Sequence, residues 1–343
     1  MSRRTHGLVA LLATATLVAL LIAWWAPDRD PGDPTTGPTT GPSLPTSSAP
    51  SVPTSGSSAS SSAASSSTPA PPAASPPVVV PGATISPCRR TGGTVPVTVV
   101  TFNIHSGFGR DGLQLAEIAG EIAAVEPDVV LLQEVDQNRL RSRFVDEAAY
   151  LATLLGMEHV FASNVERDGL RAGDPVSDYG TAVLTRLRVE SWTHTLLPNR
   201  PGRQQRGLQH LELRLGGRPI SIYNTHLDHT TPSLRQDQMR LARDIIGVDG
   251  DPVIFGGDFN ATPGSAALRL ALDPGHTDLL DPWPLVGDGD GLTVPNYVPR
   301  RRVDYLLADD DWRPTVMATW QSAVSDHRGV VGRFLLRSPR VCR

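Results

Sequence analysis

Lysine is missing from this chain. The 31 basic residues among its 343 are all arginine, which excludes mechanisms built on a side-chain amine, such as lysine-dependent phosphate loops and Schiff bases. The bias reads as coding composition rather than as chemistry. Cysteine is nearly missing too, with Cys88 and Cys342 the two in the chain. No CxxC or Cys/His spacing is available for zinc. Aromatic residues make up 5%, and no stretch of them offers a platform for stacking bases. Nor is there an excess of one charge sign, since the formal net charge is −4. A broad basic surface for nucleic acid is therefore disfavoured, although a local basic groove survives the average.

The residues that are present divide the chain into unlike parts. Arg3 and Arg4 precede an apolar run, Gly7 to Ala26, which at about 1.5 Å per residue matches a hydrocarbon core of ~30 Å. Trp24 and Trp25 stand where interfacial aromatics belong, and the two arginines favour a cytoplasmic N-terminus. An uncleaved anchor is preferred to a cleaved signal, because a cut after Ala26 would put Trp24 where a small residue is wanted and Pro27 just beyond. Residues 27–87 are Pro, Ser, Thr, Gly and Ala with little aliphatic content, too little to offset the entropy of ordering. An O-glycosylated stalk and a plain spacer both fit this composition. The expected organisation is a cytoplasmic 1–6, a transmembrane signal anchor over 7–26, a disordered linker over 27–87 and a folded domain over 88–343. That domain would lie outside the cytoplasm, membrane-anchored, or secreted if the N-terminal segment is cleaved. Cys88 and Cys342 then frame it, as a disulfide clasp or as two free thiols; the loop-entropy estimate for such a clasp exceeds ~4 kcal/mol.

Within 88–343 the pattern mixes strands and helices. Val95–Ile104 is a β-branched run that reads as a strand. Leu115, Ile118, Ile122 and Val125 share one face of a helix expected over 111–125 and stopped by Pro127. A short buried strand follows at Asp128–Leu132, then a helix over 145–155 closed by Gly156. Leu208–Leu215 and Pro219–Thr225 read as a hairpin around Gly216-Gly217. Pro232–Ile246 is a helix with proline at its start. Strands are expected at Pro252–Phe255, Val303–Leu307 and Gly329–Leu336. Such a mixture suggests two sheets faced by helices rather than a parallel barrel.

Several apolar runs end in short polar clusters: Thr101-Phe-Asn-Ile-His105, Leu132-Gln-Glu-Val-Asp136, Tyr223-Asn-Thr-His-Leu-Asp228, Gly256-Gly-Asp-Phe-Asn260, Arg302-Val-Asp-Tyr305 and Ser325-Asp-His327. The crevice beyond strand ends is where α/β sheets bind ligands. Taken together and in this order, the clusters resemble the endonuclease/exonuclease/phosphatase superfamily of metal-dependent phosphohydrolases, from about Val97 to Leu336. The most specific pieces are Gln133-Glu134, Gly257-Asp258-Phe259-Asn260, Asp304-Tyr305 and Ser325-Asp326-His327. The resemblance implies a four-layer α/β/β/α sandwich of two mixed sheets.

It also implies roles. Glu134, Asn103 and Asp326 would hold Mg²⁺, or Mn²⁺, since hard oxygens without thiolate suit those ions. Asp258 would orient or deprotonate water, and Asn260, two residues on, would point the same way and donate to a phosphoryl oxygen. The same stretch is also good Asx-turn chemistry. His327 would face the scissile phosphate with Asp304 behind it, and His226 is a candidate general acid for the leaving oxygen. His105 and His229 are either supporting or exposed. Tyr179 and Arg206 are candidates for binding phosphate, although Gln204-Gln205 stand where many relatives carry a Glu. Arg300-Arg301-Arg302 reads as a solvated basic patch. The expected function is an extracytoplasmic Mg²⁺-dependent phosphodiesterase, monomeric, acting on a phospholipid headgroup, a nucleic acid or a sugar phosphate. A surface nuclease, a silent binding module on the same fold and an envelope protein whose role lies in the stalk are the alternatives.

Overall fold

The computed structural model describes residues 89–90, 92–169, 173 and 175–341. The expected anchor, the linker, Cys88 and Cys342 lie outside them. Among the described residues no helix is long and apolar enough to cross a membrane.

The first half of the domain runs β1 (Arg89–Arg90), β2 (Val95–Asn103), β3 (Phe108–Gly109), β4 (Gly112–Leu113), α1 (Leu115–Ala123), β5 (Val129–Gln137), α2 (Glu147–Leu155), β6 (Glu158–Arg167) and β7 (Ser177–Thr185). The second half begins with β8 (Arg188–Leu196), β9 (Gly207–Leu215), β10 (Arg218–His226), α3 (Pro232–Ile246), β11 (Val253–Asp258) and α4 (Ala266–Ala271). It ends with α5 (Trp283–Val286), β12 (Asp304–Ala308), β13 (Trp312–Trp320), β14 (Gly329–Leu336) and β15 (Arg340–Val341).

Two mixed sheets carry the architecture, in the orders β13-β14-β2-β5-β7-β6 and β12-β11-β10-β9-β8. β2 and β5 are parallel, as are β10 and β11, and the other pairs within the two sheets are antiparallel. Side chains alternate between faces along each strand, and the burial follows. Val97, Val99, Val129, Leu131 and Val183 of the first sheet pack against Leu211, Leu213, Ile220, Ile222, Ile254 and Leu306 of the second. The outer face of the first sheet, with Val100, Phe102, Val130 and Leu132, is covered by Ile118 and Ile122 of α1 and Leu151 and Leu155 of α2. Tyr223, Phe255 and Leu307 on the other outer face meet Met239 and Ala242 of α3 and Leu268 of α4. Three apolar interiors thus separate helix, sheet, sheet and helix.

The local signals act as expected at several ends. Asp146 caps α2 by accepting from the Ala149 amide, and Gly156 closes it in the left-handed region, at φ 62°. α1 starts at Leu115 rather than 111, because Gly112–Leu113 pairs with Phe108–Gly109 in a small hairpin. β5 runs on to Gln137 rather than ending at Leu132. β1 pairs with β15, with Arg89 opposite Val341 and Arg90 opposite Arg340.

Candidate active site

At one end of the sandwich the interior between the sheets turns from apolar to polar. Thr101, Gln133, Thr181, Gln209 and Asn224 are fully buried there and bonded to one another. Gln133 donates to Thr101 Oγ1 at 3.0 Å and to Asn224 Oδ1 at 2.8 Å. Asn224 Nδ2 in turn donates to the carbonyls of Leu132 and Ala182 across the gap. A satisfied amide layer of this kind fixes the spacing of the two sheets, since any slip would strand buried polar groups.

The reactive groups sit directly above that layer. His226, Asp258 and Asp304 end or begin adjacent strands in register, His226 opposite Asp258 and Asp258 opposite Asp304. Two glycines before Asp258 make this possible. A Cβ at Gly256 would overlap Leu131 and Leu306, and one at Gly257 (φ 137°) would overlap the Thr225 carbonyl. From the facing sheet, Asn103 Nδ2 donates to Asp258 Oδ2 at 3.1 Å. His327 enters from the turn before β14, where Ser325 Oγ accepts its amide at 3.0 Å and donates to the Asn103 carbonyl at 2.6 Å. Its Nδ1 is 2.9 Å from Asp304 Oδ2, and its Nε2 is 3.8 Å from Asp258 Oδ2.

Burial alone would lower the His327 pKa, but the carboxylates of Asp304 and Asp258 hold it well above the usual histidine value. Burial and the neighbouring Asp304 push Asp258 up to about 7. His226 goes the other way: burial, then Arg206 and His327, keep it well below the usual value. Arg206 Nη1 lies 3.0 Å from His226 Nδ1. Arginine can only donate, so Nδ1 accepts and the ring proton sits on Nε2, which is 3.5 Å from Asp258 Oδ2. In this arrangement His226 is held as a neutral imidazole whose Nε2–H is offered toward Asp258.

Asn260 does not extend beside Asp258 as the two-residue spacing suggested. The chain turns there, with Asn260 at φ 48° and its amide donating to Asp258 Oδ1 at 2.8 Å. The Asx-turn is real and leaves Oδ2 for the site. One amide hydrogen of Asn260 goes to the Leu227 carbonyl at 3.0 Å.

Glu134 is placed by a break in β5. The register against β7 shifts between Gln133 and Val135, and Glu134 sits at φ 57°, a backbone region uncommon outside glycine. Such bulges re-aim a side chain. Here Asn103 Nδ2 lies 3.1 Å from Glu134 Oε1, while Asn103 Oδ1 accepts the His105 amide. His105 Nδ1 is 3.7 Å from Glu134 Oε2 and 3.4 Å from Asp326 Oδ1. Two carboxylates of hard oxygens thus converge on one point, a donor set that fits a small divalent cation. Asp258, Asp304 and His327 form a second cluster with metal-ligating atoms close together.

Arg206 is buried beside His226, and its Nε has no partner. Tyr179, also buried, lies near Arg206, and burial raises its pKa. The guanidinium of Arg141 lies 5.5 Å from the Tyr179 ring centre and is held by Asp136 at 2.7 Å. Composition gave no hint of that support. His229 is exposed, and its pKa is lowered by partial desolvation and then by Arg206. Arg302 is not part of a solvated patch: it is buried, paired with Asp281 and 4.8 Å over the Tyr305 ring. Arg328 donates to the Asn296 carbonyl at 2.9 Å.

Residues 100–327 match the sequence model of the Endonuclease/Exonuclease/phosphatase family. This chain belongs to that family. The endonuclease/exonuclease/phosphatase family comprises metal-dependent hydrolases of phosphate esters, and this chain is one of them. The uncharacterized protein YbhP of Escherichia coli is 26% identical over 246 residues, 67% of this chain and 92% of its own length. A 5′-tyrosyl-DNA phosphodiesterase of Caenorhabditis elegans is 28% identical over 172 residues, but these are 48% of this chain and only 42% of that protein. Among solved structures, an endonuclease/exonuclease/phosphatase from Beutenbergia cavernae superposes with a TM-score of 0.59 at 25% identity, covering 71% of this chain and 72% of the other.

Proposed function

We propose that this chain is an extracytoplasmic, Mg²⁺-dependent phosphodiesterase that cleaves its substrate by in-line attack of water. The observation that carries this reading is Arg206. Its guanidinium is buried, its Nε is unpartnered, and no carboxylate among the described residues forms an ion pair with it. An unpaired buried charge costs roughly several kcal/mol, and a phosphoryl oxygen is the anion a guanidinium fork accommodates. The tyrosyl-DNA phosphodiesterase among the relatives, which acts on a diester by its name, supports the same class.

Glu134, Asp326 and the Asn103 amide would hold Mg²⁺, which supplies charge neutralisation at the phosphoryl group. The remaining work falls to the chain. Asp258 Oδ2 takes the proton of the attacking water, its other oxygen fixed by the Asn260 turn. His327, charged and backed by Asp304, stabilises the negative charge that develops on phosphorus oxygens. His226 and Asn260 donate neutral hydrogen bonds, and Arg206 with Tyr179 orients the bound phosphate. Export is supported by the charge and hydropathy of residues 3–26. The pairing of Arg89 with Val341, each next in sequence to a cysteine, supports a Cys88–Cys342 clasp.

The test is hydrolysis by the purified full-length protein with Mg²⁺ of bis(p-nitrophenyl) phosphate, p-nitrophenyl phosphate, DNA, RNA and phospholipid. The diester should be cleaved faster than the monoester, and Arg206→Met should raise KM. Turnover in excess chelator, or an Arg206→Met protein with unchanged kinetics, would reject the assignment. Protease added to intact cells should release the domain by cutting within 27–87.

A further inference from the structure

We propose that the His105 imidazole is a further ligand of the divalent cation assigned to Glu134 and Asp326, an inference that rests on the metal reading of that site. The ring nitrogen Nδ1 is within 4 Å of both carboxylates, at 3.7 Å from Glu134 and 3.4 Å from Asp326. Both separations exceed the ~2.7–3.2 Å of a direct N–H···O bond. The nitrogen therefore shares a focus with two carboxylates without being bonded to either.

The backbone is bent to put it there. His105 and Ser106 lie at φ 51° and 50°, and Gly107 continues the left-handed run at φ 65°. Non-glycine residues in that region are uncommon, and consecutive ones persist only where neighbours enforce them. The neighbours are present. Asn103 Oδ1 accepts the His105 amide at 3.1 Å, the Ile104 carbonyl accepts from Gly107 at 2.9 Å, and Arg141 donates to Ser106 Oγ at 2.9 Å. A purely solvent-facing histidine would need none of this. The three side chains remain partly exposed, 42% for His105, 25% for Glu134 and 57% for Asp326, so they are free to close on an ion.

Imidazole is among the commonest metal ligands. One nitrogen added to an oxygen set leans selection toward Mn²⁺ and away from Mg²⁺, which prefers oxygen and its own waters. His105 would then let Mn²⁺ compete with Mg²⁺ at this site.

The probe is Mn²⁺ added to the full-length protein and followed by pulsed electron paramagnetic resonance for coupling to ¹⁴N, with affinity from calorimetry. His105→Asn removes the imidazole with a residue that tolerates the left-handed backbone, and its thermal unfolding reports that the variant is folded. His105→Ala is the second variant. The expected result is a ¹⁴N coupling in the parent that both variants lose, with Mn²⁺ affinity down about tenfold and Mg²⁺ affinity down less. A coupling that survives in both variants places the nitrogen elsewhere, for example on His327, and overturns the proposal. Tight Mn²⁺ binding without any ¹⁴N coupling overturns it while leaving Glu134 and Asp326 as ligands. No Mn²⁺ binding at all overturns the proposal and the metal assignment together.

Discussion

The two ends of the sandwich use the same kinds of residue to opposite effect. At the far end, beyond the last residue of β12, Asp310 and Asp311 are met by arginines. Arg218 reaches Asp311 at 2.9 Å, Arg90 pairs with both aspartates, and Arg340 pairs with Asp310. At the other end Glu134, Asp258 and Asp304 face imidazoles and one another, and the buried Arg206 has a histidine and a tyrosine for company. Charge matched pairwise holds strands together. Charge left unmatched is a site waiting for substrate and cation, at a cost in stability that the rest of the fold must offset.

The comparison breaks most visibly at Glu134. Glu134→Gln should lower kcat/KM by at least ~10²–10³-fold, the scale of a lost electrostatic contact in a transition state. Thermal unfolding of the metal-free protein should stay level or rise, because a carboxylate is removed from a crowded acidic focus. A folded Glu134→Gln protein with full turnover would end its role as a ligand.

The next effect concerns the buried pair. Asp304→Asn and His327→Ala should each cost ~10²-fold or more, and the double variant should fall within about threefold of the worse single one. The coupling comes from the 2.9 Å contact that keeps the imidazole charged and oriented. Multiplicative losses, measured with the same diester substrate, would show that the two act separately.

At the far end the same kind of change should move stability instead. Asp311→Asn weakens its pairs with Arg90 and Arg218, which in a half-buried network contributes about 1–2 kcal/mol. The melting temperature should drop by ~2–4 °C while kcat holds. A loss of activity at constant stability would erase the contrast between the two ends.

The smallest effect is a slope. Burial pushes Asp309 up to about 6, against the hydrogen bonds it accepts from Val253 and Asp311. Unfolded aspartate titrates near ~3.9, so between about pH 4 and pH 6 the folded state retains a proton that the unfolded state has lost. Folded proteins hold more protons there, and this group's contribution to stability falls as pH rises through that window. Asp309→Asn should remove that fall, read from denaturant unfolding at pH 4, 5 and 6. An unchanged slope would place the pKa elsewhere.

Much of this was legible along the chain. The strands β2, β5, β10, β11, β12 and β14 carry apolar runs, and their ends name the residues that converge. Among the strands that left no clear trace, β6, β8 and β13 are sheet edges. Their burial is broken and largely exposed, as in Arg188–Leu196, so alternation fades, and β13 even carries Pro314 beside a register shift, which an edge tolerates. The expected helix over 111–125 shortened for a related reason, since a two-residue hairpin pairing outbid a helical turn that had no cap.

By itself the sequence determined which side chains are available: glycines before Asp258, an Asx-turn after it, hard oxygens without thiolate, and imidazoles at strand ends. Local periodicity and turn chemistry act over a few residues, and they are written in order along the chain. Tertiary structure alone decided the charge and aim of those groups. His226 is neutral because Arg206, twenty residues away, donates to its ring in a buried place. His327 is charged because two strands bring Asp304 and Asp258 to either side of it. Glu134 leaves the alternation of its strand because β7 pairs across a bulge, and His105 meets it only because two segments far apart in sequence end at the same rim. Desolvation and Coulomb interactions depend on distance in space, which a chain pattern does not record.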